Sequence, residues 1–444
     1  MKRPGIQRSI HFSIPVVASL GLLLPLATGS ARGAGEAPTT TGPDVTIIYL
    51  TGPGNYGQSG GIRGFSLGTT SCNIGSKPVN WCNDGGSSGC GADTTAADHP
   101  VIAQNLYRLR AGRFEQIGMS WLKHGFLSTN SPDAACGSCV VPPLGGDQLG
   151  VGCTDAYGSG LNGSRPLGMR SEVNATTGVF PYPYTQVSPG VVWEQRIKVF
   201  ETDLDPVPSD DRYWMEGQYI ASDDAKEGNG LNNASYREVQ FANDGIFSPS
   251  FVGGTIREKS ALYGWQAVDA AVEIAHVDAL SPGRGTIERF EVARRVTELP
   301  PFVEGGGTWH YEYVVRNMNS DRAARAFRVD LAGAFISGVG FHDIDHHSGE
   351  PYATTDWTAS VDPAGAVEWS TDTFTTDPDA NALRWGTAFS FWFDADRPPA
   401  EAIQRLDFFK PACPGAAYFT IPDAVVFGDG FECGGVGAWS GTAP

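Results

Sequence analysis

Trp309-His-Tyr-Glu-Tyr-Val-Val-Arg316 places Trp309, Tyr311, Tyr313 and Val315 at every second position, with His310, Glu312, Val314 and Arg316 between them. Side chains of a strand point alternately to its two faces, so this period predicts a β-strand with one apolar side. Segments of the same aromatic and β-branched texture run from Val191 to Phe200, Tyr213 to Ala221, Tyr236 to Phe241, Thr286 to Val296, Phe335 to Phe341 and Phe389 to Phe393. Gly, Pro, Asn and Asp turns separate them, which predicts an all-β chain with a β-sandwich over residues 190–410. Ala267 to Ala279 is the best stretch for a helix, yet Val268, Ala270, Val272 and Ile274 alternate as a strand would. A parallel α/β arrangement is therefore not expected.

Toward the N-terminus, Pro181-Tyr-Pro-Tyr-Thr-Gln-Val-Ser-Pro-Gly190 reads as a boundary. Residues 44–185 before it are dense in Gly, Ser, Asn and Cys, with strand texture only at Val45 to Leu50, Asn105 to Leu109 and Arg113 to Ile117. So little periodic apolar sequence predicts a loop-rich β module stabilised by disulfides. It holds Cys72, Cys82, Cys90, Cys136, Cys139 and Cys153, whose pairing the sequence leaves open. Cys136-Gly-Ser-Cys139 has the spacing of a zinc or redox motif, but no second close pair and no βαβ pattern adjoin it, so structural disulfide chemistry is expected. Cys413 and Cys433 are expected to pair with each other in a C-terminal tail, residues 411–444.

At the other end, Lys2, Arg3 and Arg8 precede the apolar run Ile14 to Ala27 and the small residues near Gly33, the layout of a secretory signal peptide over residues 1–33. The run contains Pro15 and Pro25 and is shorter than the roughly 20 residues that span a bilayer, so no transmembrane anchor is expected. Residues 34–43 read as a flexible lead-in. Losing the signal removes four basic residues and no acid, which takes the formal charge from -18 to -22. So acidic a secreted chain is not expected to bind nucleic acid.

The densest chemistry is His342-Asp343-Ile344-Asp345-His346-His347 with Glu350, directly after a predicted strand. If strand geometry persists, Asp343, Asp345 and His347 share one side and His342 and His346 the other. Imidazole with carboxylate suits Zn, Mn or Fe, and several imidazoles suit Cu. Local turn capping by the same residues is the plain alternative. A second candidate joins His99 to Ser120-Trp-Leu-Lys-His124. His124 is the candidate catalytic base, although Ser120 lacks the Gly-x-Ser-x-Gly elbow of a serine hydrolase. Acid pairs at Asp203-Leu-Asp205, Asp210-Asp211, Asp223-Asp224 and Asp377-Pro-Asp379 read first as solvated turns and, without EF-hand spacing, only second as Ca loops.

Two resemblances accompany this reading. Phe427-Gly-Asp-Gly-Phe-Glu-Cys-Gly434 with Trp439-Ser440 resembles a short C-terminal tail of exported proteins of Gram-negative bacteria. Gly68-Thr-Thr-Ser-Cys-Asn-Ile-Gly75, His99 to Leu109, Ser120 to Phe126, Gly228 to Tyr236 and Gly340-Phe-His-Asp-Ile-Asp-His-His-Ser-Gly-Glu-Pro-Tyr352 resemble a group of secreted bacterial proteins. The resemblance implies one recurring unit over residues 44–410 and a secreted location, extracellular or periplasmic, and brings no catalytic residue with it.

Two functions fit these observations. One is a secreted metal-dependent hydrolase or copper-type oxidase using Cu, Zn, Fe or Mn at His342, Asp343, Asp345, His346 and His347. The other is a non-catalytic surface or matrix protein that binds an extracellular polymer or surface component, with Ca as a structural ion.

Overall fold

The computed structural model describes residues 40–82, 98–205, 210–281, 285–300, 309–399 and 403–410, with the backbone of the strand Tyr418–Ile421. The expected signal peptide, Cys90 and the tail with Cys413 and Cys433 lie outside the described residues.

The strand Trp309–Asn317 pairs antiparallel with Ile287–Glu298 on one side and Ala388–Ala395 on the other. Glu273–Leu280 and Ile336–His342 complete a five-stranded sheet. A second five-stranded sheet runs Thr358–Asp362, Ala366–Ser370, Ala324–Asp330, Ile403–Phe408, Tyr418–Ile421. Tyr311, Tyr313, Val315, Phe391 and Phe393 of the first sheet meet Phe327, Val329, Trp369 and Leu406 of the second in one core. Rings interlock there, with Tyr311 and Phe393 stacked at 4.6 Å and Phe327 and Phe391 at 4.9 Å. The fold is all-β and sandwich-like, as the alternation predicts.

The third sheet has eleven strands. Its main path runs Pro249–Ile256, Ala234–Phe241, Arg212–Ile220, Val101–Arg110, Arg113–Met119, Ile197–Phe200, Ile62–Asn73, Cys153–Tyr157, Ser131–Pro132. Strands from both sides of the expected boundary at residues 185–190 thus interleave, and the central Arg212–Ile220 and Val101–Arg110 pair along their whole length. The two modules read from composition share this sheet because both supply strands with an apolar face. Val45–Ser59 pairs with Ile62–Asn73 and also reaches the opposite edge, where Thr255 Oγ1 accepts from Leu50 N at 2.8 Å. The sheet therefore curls around Ile47, Leu50, Phe65, Leu106, Met215 and Tyr219.

The N-terminal part is richer in strand than its composition suggests, with Val45–Ser59 and Ile62–Asn73 both long. Glycines that read as loop signals are packing points inside these strands: a Cβ on Gly64 would lie 2.8 Å from the Trp193 backbone, and one on Gly68 2.5 Å from Thr51 Oγ1. Disulfides join Cys72 to Cys136 and Cys139 to Cys153, and Cys82 is disulfide-bonded as well. The Cys136-Gly-Ser-Cys139 motif is thus divided between two structural bonds. The stretch 267–279 resolves into the end of a short helix, Leu262–Val268, and the strand from Glu273.

Candidate functional site

The outer face of the curled sheet lies on the first sandwich sheet along a seam. Along Arg212–Ile220, Tyr213, Met215 and Tyr219 point into the curl while Trp214 faces the seam with Tyr107, Phe114, Trp265, Ala293 and Val314. The alternation that buries Tyr311 and Tyr313 on one side of Trp309–Asn317 sends Glu312 and Arg316 to the other, where the seam covers them. Arg316 is fully buried and binds Glu216 at 2.9 Å, Glu291 at 3.0 Å and Gln218 at 2.9 Å. Glu216 also accepts from Asn105, Tyr107 and Ala261 N. Burial opposes the guanidinium charge, but Glu216 and Glu291 outweigh it and hold its pKa above the ordinary arginine value. Arg170, also buried, donates to the carbonyls of Ser120, Gly386 and Gln104 and to Asn105 Oδ1. Burial pulls its pKa down to about 10.

His124 lies beside this layer, 3% exposed. His99 Nδ1 donates to the Cys82 carbonyl at 2.9 Å, since a carbonyl only accepts. In a neutral ring that leaves a lone pair on His99 Nε2, to which His124 Nδ1–H donates at 2.8 Å. His124 stacks flat on Tyr184 at 3.6 Å, and Phe180 stands edge-on to both rings at 5.0 Å. Burial, helped by His99 and Lys123, pushes the His124 pKa down to about 2. Ser120 is fully buried; its hydroxyl donates to the Trp121 carbonyl at 2.5 Å and accepts from Gln104 N at 3.2 Å. The seryl oxygen is committed to the backbone, and the imidazole to its partner ring.

The later cluster takes a different shape from the expected one. Strand structure stops at His342, so the proposed sharing of sides does not carry through residues 343–347. Ile344 enters the sandwich core, and His346 and His347 are both buried although adjacent. The segment leaves the strand to cross onto residues 165–196, and its polar groups fasten it there. Glu350 accepts from the backbone N–H groups of Arg170 at 2.7 Å and Ser171 at 3.1 Å. His347 Nε2 donates to the Arg196 carbonyl at 2.8 Å, between Trp121 and Trp193. His346 stands edge-on to Tyr352 at 4.9 Å. Asp343 accepts from Asn381 Nδ2 at 2.5 Å. Asp345 acts on Lys198, whose pKa burial lowers and Asp345 partly restores.

The charges facing His346 are Arg384, Arg170 and Lys198, all positive, and with burial they push its pKa down to about 3. His347 is lowered to about 3, first by burial. Among the described residues, no three His, Cys, Asp or Glu side chains gather in a way that could hold a metal ion. Of the acid pairs, Asp203 meets Arg108 at 3.3 Å and Asp211 meets Arg110 at 2.6 Å.

Neutral burial of His346 sets a pH dependence. Its pKa falls from 6.5 unfolded to about 3 folded, so its contribution is complete above pH 6.5 and drains away as pH falls toward 3. Asp343 has the opposite sign: burial raises it from 3.8 to about 6, so its contribution is complete below 3.8 and is lost as pH rises through 6. Between pH 6.5 and 4 the urea midpoint of His346→Gln is expected to fall less than that of the parent. Asp343→Asn is expected to fall more steeply, because the opposing term is gone. Parallel curves for all three proteins would disprove this assignment.

Arg316 and Glu216 were not singled out by sequence, since a charged residue at alternate strand positions reads as a solvent-facing one, and Arg170 was not because it lies in a short turn, Arg170–Glu172, with no periodic pattern around it. No family model matches the chain, and no curated protein matches it.

Proposed function

We propose that this chain is an exported, non-catalytic surface or matrix protein, whose histidines join its layers and whose acidic exterior contacts an extracellular polymer or surface component. The observation that supports this reading is how the candidate groups are used. His99 and His124 bond to each other inside an aromatic cage, His347 bonds to the Arg196 carbonyl, and Glu350 fastens the 342–352 segment to Arg170 and Ser171. Positive side chains around His346 disfavour a metal cation there. Two disulfides among the described residues suit an oxidising compartment. No helix among the described residues is long and apolar enough to cross a membrane.

A second reading, a metal-dependent hydrolase or copper-type oxidase, draws on one specific feature. Nε2 of His342 and His346 and Nδ1 of His347 are buried without a hydrogen-bond partner among the described residues. Elemental analysis of the native mature protein beside the variant with His342, His346 and His347 changed to Ala separates the two. The expected result is no stoichiometric Cu, Zn, Fe or Mn in either protein, and a Tm lower by roughly 5–10 °C in the variant. Co-sedimentation with the insoluble envelope or matrix fraction is expected to survive in the folded variant. Near-stoichiometric transition metal that disappears in the variant would overturn the proposal in favour of the metalloenzyme.

A further inference from the structure

An open cleft of about 600 Å³ carries two arginines on its wall, Arg165 and Arg196, together with Gln186, Val187 and Ser188. In a chain with 49 acidic and 31 basic residues, two neighbouring guanidiniums are expected to draw carboxylates. Other partly buried arginines do so: Arg110, Arg113 and Arg295 meet Asp211, Glu312 and Asp269. Arg165 and Arg196 instead make all their contacts among the described residues with neutral groups. Glu194, close by in the chain, accepts from the backbone N–H groups of Gly190 and Val191.

The neutral contacts fix both side chains. Arg165 Nη1 donates to the Val191 carbonyl at 2.5 Å. Arg196 Nε donates to the Gly163 carbonyl at 3.0 Å and Nη1 to the Val192 carbonyl at 2.7 Å, while its guanidinium lies 3.5 Å from the centre of the Tyr56 ring. Carbonyls and a ring hold these groups in place without cancelling their charge. The donors left over are Arg165 Nε and Nη2 and Arg196 Nη2, which have no hydrogen-bond partner among the described residues and are not sealed from solvent. Nε and Nη2 form one edge of a guanidinium, the edge that grips two oxygens at once. Burial lowers the Arg196 pKa and the Arg165 charge lowers it further, with Tyr56 opposing. An anion held between the two arginines relieves that repulsion and meets the spare donors.

A carboxylate is satisfied by the Arg165 edge alone, and its single charge leaves Arg196 unanswered. A phosphate group brings about two negative charges and three strong acceptor oxygens, one for each spare donor. We propose that Arg165 and Arg196 form a binding site for a phosphate group, free or carried as a monoester on an extracellular molecule. The site does not rest on the surface-protein reading, which metal content and co-sedimentation test separately.

The test uses the mature protein with its disulfides intact, in a phosphate-free chloride buffer at about pH 7.5. Equilibrium dialysis with radioactive inorganic phosphate is expected to give one phosphate per chain, and Tm is expected to rise by roughly 3–5 °C at about 100 times Kd. Glucose 1-phosphate distinguishes the two sources: it displaces the label if the cleft takes an ester, and leaves it bound if the cleft takes only the free ion. Sodium acetate is expected to compete roughly tenfold more weakly than phosphate. Arg165→Gln is expected to bind phosphate roughly tenfold more weakly and to lose the Tm response, with Arg165→Lys, which keeps the charge but not the two-donor edge, in between. No phosphate uptake by the parent overturns the proposal, and that measurement stands even if the variants fail to fold. Unchanged uptake by a folded Arg165→Gln, or acetate competing as well as phosphate, overturns it as well.

Discussion

Arg316→Ala is expected to lower the free energy of unfolding by about 3–5 kcal/mol, the cost of breaking a buried ion pair from one side. The variant leaves Glu216, which is fully buried, and Glu291, which is nearly so, without their cation. Glu216 keeps hydrogen bonds from Asn105, Tyr107 and the Ala261 N–H, but none of these carries a positive charge. The loss should therefore be felt across the seam, since Glu216 belongs to the curled sheet and Arg316 and Glu291 to the sandwich. Changing Arg316 to Met together with Glu216→Gln and Glu291→Gln removes the charge on both sides and is expected to cost less than Arg316→Ala alone. Urea unfolding of the three proteins at pH 7 checks both statements. A loss below about 1 kcal/mol for Arg316→Ala would show that water or a neighbouring cation replaces the guanidinium, contrary to the closed seam described above.

The second large effect concerns the disulfides. Cys72–Cys136 closes a separation of 64 residues and Cys139–Cys153 one of 14. Loop-closure entropy in the unfolded chain grows with the logarithm of that length. Removing the first bond by a Cys72→Ala, Cys136→Ala double variant is expected to cost about 4 kcal/mol, and removing the second by Cys139→Ala, Cys153→Ala about 3 kcal/mol. Packing adds to both costs, because Cys72 and Cys136 are buried with Ile48 and Ile74 and Cys153 is fully buried, with only Cys139 partly so. Denaturant unfolding of the two double variants gives the order directly. A reversed order would mean that strain or residual structure in the unfolded state, and not loop entropy, governs these bonds.

Part of the site was legible in the sequence. Three histidines within six residues marked 342–347 as unusual, and the structure does bring that segment to a buried position, with His346 and His347 both inside. The pairing of His99 with His124 was visible only as two histidines near a conspicuous Ser120; their contact depends on Lys123–His124 returning to pair with Val101 and Ile102. Asp223-Asp224 looked like any solvated acid pair, and only the fold puts Asp224 against Asp44, far away in the chain.

By itself the sequence determined the strands Arg212–Ile220, Ala234–Phe241, Ile287–Glu298, Trp309–Asn317 and Ala388–Ala395 and one of their faces, because a two-residue period with aromatic and β-branched side chains favours a strand with that face buried, whereas only Ile197–Phe200 of the expected Val191 to Phe200 is strand. It also determined the all-β class and the use of the cysteines in disulfides. Only the tertiary structure decided what covers the other face. In Trp309–Asn317 the residues Glu312 and Arg316 have the spacing of a solvated side, and the same pattern would serve a two-layer sandwich with its outer face in water. Here the curled sheet closes over that face and supplies partners for the charges, Arg113 for Glu312 at 3.1 Å and Glu216 for Arg316. Strand periodicity is a local property, whereas the partner that neutralises a buried charge comes from elsewhere in the chain, Arg113 and Glu216 each lying about a hundred residues or more away.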